Sequence, residues 1–241
     1  MARYGQYCPL ALATEILGER WTILVVMQVA EGVSRFNDLQ RALPRISPST
    51  LAARLRSLED AELVVRKPGK DGVEYHPTPG AKALEPILMD LGMWGQRWAR
   101  DMESDDLDPE FLAWSMHTRM DTSVLPAGRV VIEFEFTGVP GRLCKRFWIL
   151  KQDDALDVCI KHPGYEIDLR VSADLRRFVE AWRGIRSLEG ELAAGRIRLE
   201  GSRALKRAFP RCLLLSIAAP VPRERAGRER TTRRRTTAAR S

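Results

Sequence analysis

The residue types most able to do chemistry are few in this chain and badly placed for catalysis. His76, His117 and His162 are its three histidines, and no two stand at the spacing of paired metal ligands. Cys8, Cys144, Cys159 and Cys212 lack the spacing of a zinc site or a redox pair, and read as mostly buried thiols of a reducing compartment. There is no nucleophile elbow and no phosphate-cradling glycine loop, and nothing in the order of the carboxylates singles out an acid/base pair. An enzyme is therefore not expected, nor a metal or cofactor. What remains is a concentration of cations and small side chains, mostly hydroxyls, between Arg35 and Lys70: Arg35, Ser47, Ser49, Thr50, Ala53, Arg54, Arg56, Ser57, Arg66, Lys67 and Lys70. Their chemistry is contact with a polyanion. Small side chains permit close approach to a major groove about 12 Å wide, and guanidiniums reach guanine edges or phosphates.

The elements that must position them can be read locally. Ser47 offers a side-chain oxygen to the free amides of a helix start, Pro48 suits the first helical position, and residues 59–62 close the run. Leu51, Leu55 and Leu58 share one face, which must pack inward and leave the Ser49, Thr50, Ala53, Arg56, Ser57 face outward with Arg54 on the flank. A shorter helix over 36–43 ends at Pro44, so the two are joined by the short turn of a helix-turn-helix. Residues 63–67 and 73–76 then form a hairpin about Pro68-Gly69-Lys70-Asp71-Gly72, with Arg66, Lys67 and Lys70 as phosphate-positioning cations. This is the outline of a winged helix-turn-helix, whose partner is double-stranded DNA. Helices over 10–17 and 21–29 precede it, separated at Gly18 where a helix can end in a left-handed residue, with Trp21, Ile23, Leu24 and Met27 as core.

At these residues the chain resembles the HxlR-type bacterial regulators. The matching segments are Cys8-Pro9-Leu10, Leu17-Gly18-Glu19-Arg20-Trp21-Thr22-Ile23-Leu24, Arg35-Phe36-Asn37-Asp38-Leu39, Ile46-Ser47-Pro48-Ser49-Thr50-Leu51 and Arg54-Leu55-Arg56-Ser57-Leu58-Glu59, with Tyr75 and Thr78-Pro79-Gly80 following. The resemblance covers about the first hundred residues and implies a homodimeric transcription factor, more often a repressor, that binds palindromic operators. It also implies two readings of Cys8: a thiol that answers oxidants, activated by the amides of a helix start, or a small buried packing residue, which is the expectation adopted.

Thr78 and Pro79 start a further helix whose apolar stripe, Leu84, Ile87, Leu88, Leu91, Trp94 and Trp98, is longer than so small a domain requires. Its use is either pairing with the amino-terminal helix and a second chain, with Leu10, Leu84, Leu88, Leu91, Trp94 and Trp98 at the dimer interface, or packing on a second domain. The chain is long enough for two domains at 241 residues, and an acidic linker is expected over 101–109. Residues 1–100 carry thirteen basic and eleven acidic side chains, whereas residues 220–241 carry eight arginines against two glutamates, nearly all of the net +7. The basic composition is thus a property of this tail, expected to be disordered and either weakly attracted to DNA or merely solvated. With no apolar run long enough for a bilayer and no signal-peptide pattern, a cytoplasmic protein without a membrane partner is expected.

Beyond the linker the pattern changes. A short helix over 111–116, strands over 129–136, 146–150, 156–160 and 166–171, then helices over 173–182 and 188–194, a strand over 196–199 and a helix over 203–209 predict an α+β sandwich with helices on one face of a largely antiparallel sheet. Asp168-Leu169-Arg170-Val171, Trp182-Arg183-Gly184 and 195–201 with Leu205 and Phe209 resemble a sterol-carrier-protein-like domain over 110–219. That resemblance implies an enclosed apolar effector. Phe134, Phe136, Trp148, Phe178 and Trp182, with Trp114 and Phe147, either line a pocket or form the core. The expectation is a DNA-binding regulator with an apolar small-molecule effector; the rival is an apolar-ligand or lipid carrier whose first half only dimerises it.

Overall fold

The computed structural model describes residues 3–70, 72–153 and 155–224. Asp71 of the wing turn and residues 225–241 of the basic tail lie outside the described residues.

The first half runs α1 (Pro9–Leu17), α2 (Thr22–Ala30), α3 (Phe36–Ala42), α4 (Pro48–Asp60), the antiparallel hairpin β1 (Val64–Gly69) and β2 (Gly72–Pro77), and α5 (Pro79–Trp98). Its core joins Val25, Val26 and Val29 of α2, Leu39 of α3, Leu51, Leu55 and Leu58 of α4, Val64 of β1, and Ala81 and Leu88 of α5. Fully burying each of the larger side chains contributes about 1.5–3 kcal/mol. The leucine stripe of α4 faces inward as its spacing requires, so the opposite face is turned to solvent.

Two expectations about α2 fail. The left-handed residue between α1 and α2 is Trp21, at φ 77°, whereas Gly18 sits at an ordinary φ of −73°. Of the residues expected in the core, Leu24 is exposed, while half-buried Trp21, Ile23 and Met27 pack at the edge of a core whose buried face on α2 runs through Val25, Val26 and Val29.

Residues 101–109 are not a free linker. Ser104–Asp106 form a 3-10 turn in which the Glu103 and Asp106 side chains cap reciprocally, and Arg100 pairs with Asp106. The Asp108 carboxylate then accepts the amides of Glu110 and Phe111 at the start of α6 (Pro109–His117).

The second half is a five-stranded sheet of β3 (Val130–Thr137), β4 (Arg146–Gln152), β5 (Ala155–Cys159), β6 (Leu169–Asp174) and β7 (Ile197–Gly201), in spatial order β5-β4-β3-β6-β7. Only the β3–β6 pair is parallel. Alternate residues of β3, namely Val130, Ile132, Phe134 and Phe136, face a core completed by α6, α7 (Leu175–Trp182), α8 (Leu188–Ala193) and α9 (Arg203–Cys212). The α+β expectation thus describes the observed sheet and helices, with β6 beginning three residues later than 166.

The two halves touch along α3 and α6, where Trp114 packs against the first core. Arg45, in the turn between α3 and α4, donates to Asp108 at 2.9 Å and to the carbonyls of Asp105 and Leu107. Buried Gln96 of α5 bonds Arg183 at the end of α7. The chain after 219 is also held, correcting the expected start of the tail: Arg223 donates to the carbonyls of Gln96 and Ala99, and the Glu224 amide to Arg97.

Candidate nucleic-acid interface

Ser47 accepts the Thr50 amide at 3.1 Å, and Pro48 occupies the first turn, so α4 starts where its sequence signals place it. The Ser47 hydroxyl also lies 2.7 Å from that of Thr50 and 3.0 Å from that of Ser49, giving a compact hydroxyl cluster at the helix start. Amides and hydroxyls at a helix N-terminus are suited to a phosphate oxygen. One turn further along, Arg56 is exposed, while Ala53 and Ser57 are half-buried and Ser57 turns its hydroxyl back onto the Ala53 carbonyl.

Arg54 departs from the expectation. Its side chain is only 19% exposed and pairs with Glu19 from the α1–α2 loop, which screens the charge expected to reach a groove. Its part is to tie that loop to α4. The periodicity of α4 put Arg54 on a flank, but no local signal could have named a partner thirty-five residues upstream.

The wing is anchored from below. The Tyr75 amide donates to Ser34 at 2.7 Å and Arg35 bridges to Glu74, so residues before α3 pair with β2. Sequence reasoning missed this pairing, because a two-residue strand has no periodicity to read. At the hairpin, Arg66, Lys67 and Lys70 are exposed, with Arg66 3.6 Å from Glu59. A notch of about 620 Å³ between α3 and the wing gathers Arg35, Arg66 and also Arg41, a cation sequence reasoning overlooked although it follows Asp38 by one turn. Arg56, Lys67 and Lys70 thus stand exposed on α4 and the hairpin, with the Ser47 hydroxyl cluster at the start of α4.

A family model described as HxlR-like helix-turn-helix matches residues 16–103. The chain is 35% identical over 112 residues to the uncharacterized HTH-type transcriptional regulator YvaP of Bacillus subtilis, spanning 45% of this chain and 96% of YvaP. The chain belongs to the HxlR-like helix-turn-helix family. A second relative, the HTH-type transcriptional regulator YodB of the same organism, is 32% identical over 97 residues, or 38% of this chain and 85% of YodB. The solved reduced form of YodB shares 28% identity, covering 41% of this chain and 100% of that one with a TM-score of 0.36. As an HxlR-like protein whose relatives are HTH-type transcriptional regulators, the chain is a DNA-binding regulator. Residues beyond 103 lie outside the family match.

The other expected sites divide. Leu10, Leu91, Trp94 and Trp98 are exposed on α1 and α5, with Ile87 beside them, whereas Leu88 is buried in the first half's own core and Leu84 is half-buried against it. Among the aromatic residues named for a pocket, Phe134, Phe136 and Phe178 are buried against one another, with ring centroids 5.3–6.4 Å apart, and Phe147 lies 4.9 Å from Phe134. Trp182 joins this core and donates to the Leu214 carbonyl, while Trp148 lies on the opposite face of the sheet with Val131 and Leu150. These rings fill the space between sheet and helices, so of the two expected alternatives it is the core, not the pocket, that describes Phe134, Phe136, Phe178 and Trp182.

The cysteines also correct an expectation, since only Cys212 is buried. Burial pushes its thiol up to about 12, and that of half-buried Cys144 to about 11. Cys8 is exposed at the α1 N-terminus, and the amides of Ala11 and Leu10 lower its pKa below the ordinary thiol value. Among the described residues no three His, Cys, Asp or Glu side chains are grouped to hold a metal, and no helix is long and apolar enough to cross a membrane.

Proposed function

We propose that this protein is a homodimeric, cytoplasmic repressor in which two copies of α4 read the halves of a palindromic operator while the wings grip flanking phosphates. The observation that carries the reading is the outward display of Arg56, Lys67, Lys70 and the Ser47 hydroxyl cluster beside a helix α4 whose Leu51, Leu55 and Leu58 face inward. The dimer rests on the exposed apolar residues of α1 and α5, Leu10, Ile87, Leu91, Trp94 and Trp98, since exposed apolar patches on soluble domains mark interaction sites. Pairing through these residues sets the two reading helices about 34 Å apart, one turn of duplex.

Residues 1–100 form the reading and pairing domain in this proposal, and 110–219 an effector domain of sterol-carrier-like architecture, supported by the one-sided packing of its helices on a mixed sheet. Its effector shifts the population of dimers toward spacings that do not fit the operator. The carrier alternative loses ground to the stacked phenylalanines, which occupy the space between the sheet and helices where an apolar ligand would lie.

The test is fluorescence anisotropy on the duplex upstream of the gene against a scrambled duplex at one near-physiological salt concentration. A preference of roughly a thousandfold or more is expected. Equal, weak binding to this duplex, to the scrambled one and to a genomic fragment library would refute operator reading.

Exposure and amide activation of Cys8 favour a second reading in which its thiolate adds oxidant control. Diamide then releases DNA from the wild-type protein and leaves Cys8→Ser bound. Equal release from both would end that reading.

A further inference from the structure

The face of the sheet turned away from the helices is strongly charged. Residues alternating with the buried phenylalanines place Glu133 and Glu135 of β3, Arg146 and Trp148 of β4, Arg170 of β6 and Arg198 of β7 on it. Glu133 is buried beneath its ion pair with Arg170, and Glu135 pairs with Arg146. Toward the end of β3 this face deepens into a groove of about 1150 Å³, lined by five cationic side chains and two carboxylates. Its volume is at the upper end of that of small-molecule sites.

Charge bookkeeping within the groove decides what it can hold. Arg146 is committed to Glu135, and Arg177 and Arg196 share Glu191. Lys145 has no carboxylate partner among the described residues, and Arg198 donates only to the Gly195 carbonyl at 3.3 Å. Apolar surface comes from Trp148 and Ile160. Trp148 is 93% buried, with His162 edge-on to its ring, yet its indole N–H has no acceptor. The rim is fitted closely: at Gly138, φ +68°, a Cβ would fall 2.4 Å from the Asp174 carboxylate.

We propose that this groove binds an organic anion, a flat apolar body carrying a carboxylate, sulfonate or phosphate. The negative group meets Lys145 and Arg198, and the body lies along Trp148 and Ile160. The site differs from an apolar chamber between sheet and helices in both face and chemistry. Calling the ligand an effector rests on the regulator reading above; its binding does not.

The experiment titrates the full chain with 8-anilinonaphthalene-1-sulfonate, with 2-naphthoate as competitor, and measures DNA binding separately without dye. A saturable dye site displaced by 2-naphthoate is expected. It should weaken at least tenfold in Lys145→Glu/Arg198→Glu, whose changed side chains are exposed. Dye affinity unchanged in the double variant but lost in Trp94→Ser would put the dye on α5 and overturn the proposal. So would a double variant that loses DNA affinity while dye binding persists, because those cations would then serve DNA. Failure of the wild-type protein to bind DNA, with dye binding intact, would refute the regulator reading alone.

Discussion

Breaking the Arg45–Asp108 contact should cost little, and the structure says why. Arg45 leaves the helix-turn-helix turn to reach a carboxylate that is only 6% exposed, at 2.9 Å. Removing one partner of a fully buried pair costs about 3–5 kcal/mol, because the survivor is left charged and unsatisfied. Here the survivor is not orphaned: Asp108 still accepts the amides of Glu110 at 3.0 Å and Phe111 at 3.2 Å. Arg45, 45% exposed, returns to water. The charge-assisted bond, worth about 1.5–3 kcal/mol when shielded, is therefore discounted to roughly 1 kcal/mol. Asp108→Ala should lose the helix cap as well, about 1 kcal/mol more. A double-mutant cycle of Arg45→Ala and Asp108→Ala, read by urea unfolding with tryptophan fluorescence, should return a coupling energy of about 1 kcal/mol. A coupling below about 0.3 kcal/mol would show that the turn and the second half are not joined through this pair. A coupling above about 3 kcal/mol would mean that the amides do not satisfy Asp108 once Arg45 is gone; the cost of Arg45→Ala alone also includes its bonds to the Asp105 and Leu107 carbonyls.

Four other outcomes are expected. Arg56→Ala with Lys67→Ala should weaken binding to all duplexes and flatten the salt dependence by about 0.9 log units per lost phosphate contact, as measured by anisotropy across a salt series. Trp94→Ser should shift sedimentation-velocity profiles toward monomer, because it removes an exposed ring from the α5 stripe. Phe134→Ala should cost about 3–5 kcal/mol in urea unfolding of the second half, since its ring touches Phe136, Phe147, Phe178 and Phe209 and no neighbour can fill the void. His117 has a pKa below the ordinary histidine value because burial disfavours its charged form. The unfolded chain thus takes up a proton first as pH falls through about 6.5, so His117 contributes stability that is present at neutral pH and is lost below that point. His117→Gln should flatten this part of the stability profile in a pH series of urea melts.

What was legible in the sequence was local. Ser47 with Pro48, Thr78 with Pro79, and the spacing of Leu51, Leu55 and Leu58 each carry their structural reason within a turn or two of helix, and each element formed where those reasons put it. In the second half, alternation along β3 told which side chains would be buried, but not whether four phenylalanines would surround a chamber or close it. That outcome depends on how far α7 and α9 approach the sheet, a distance set by the packing of Phe178 and Phe209 rather than by any periodicity.

The misplaced residues share one physical cause, partners distant in sequence. Arg54 looked available because its partner, Glu19, belongs to a loop before α2. Residues 101–109 looked like a tether because their acidity hid a destination, the Arg45 guanidinium. Leu88 looked like one residue of an unpartnered stripe, yet α5 crosses α2 and buries that position while Ile87, Leu91 and Trp94 stay outside. A helix longer than its domain has to divide its apolar surface in this way. Its first turns complete the core beneath it, and the exposed Ile87, Leu91 and Trp94 remain as the face on which the proposed dimer depends.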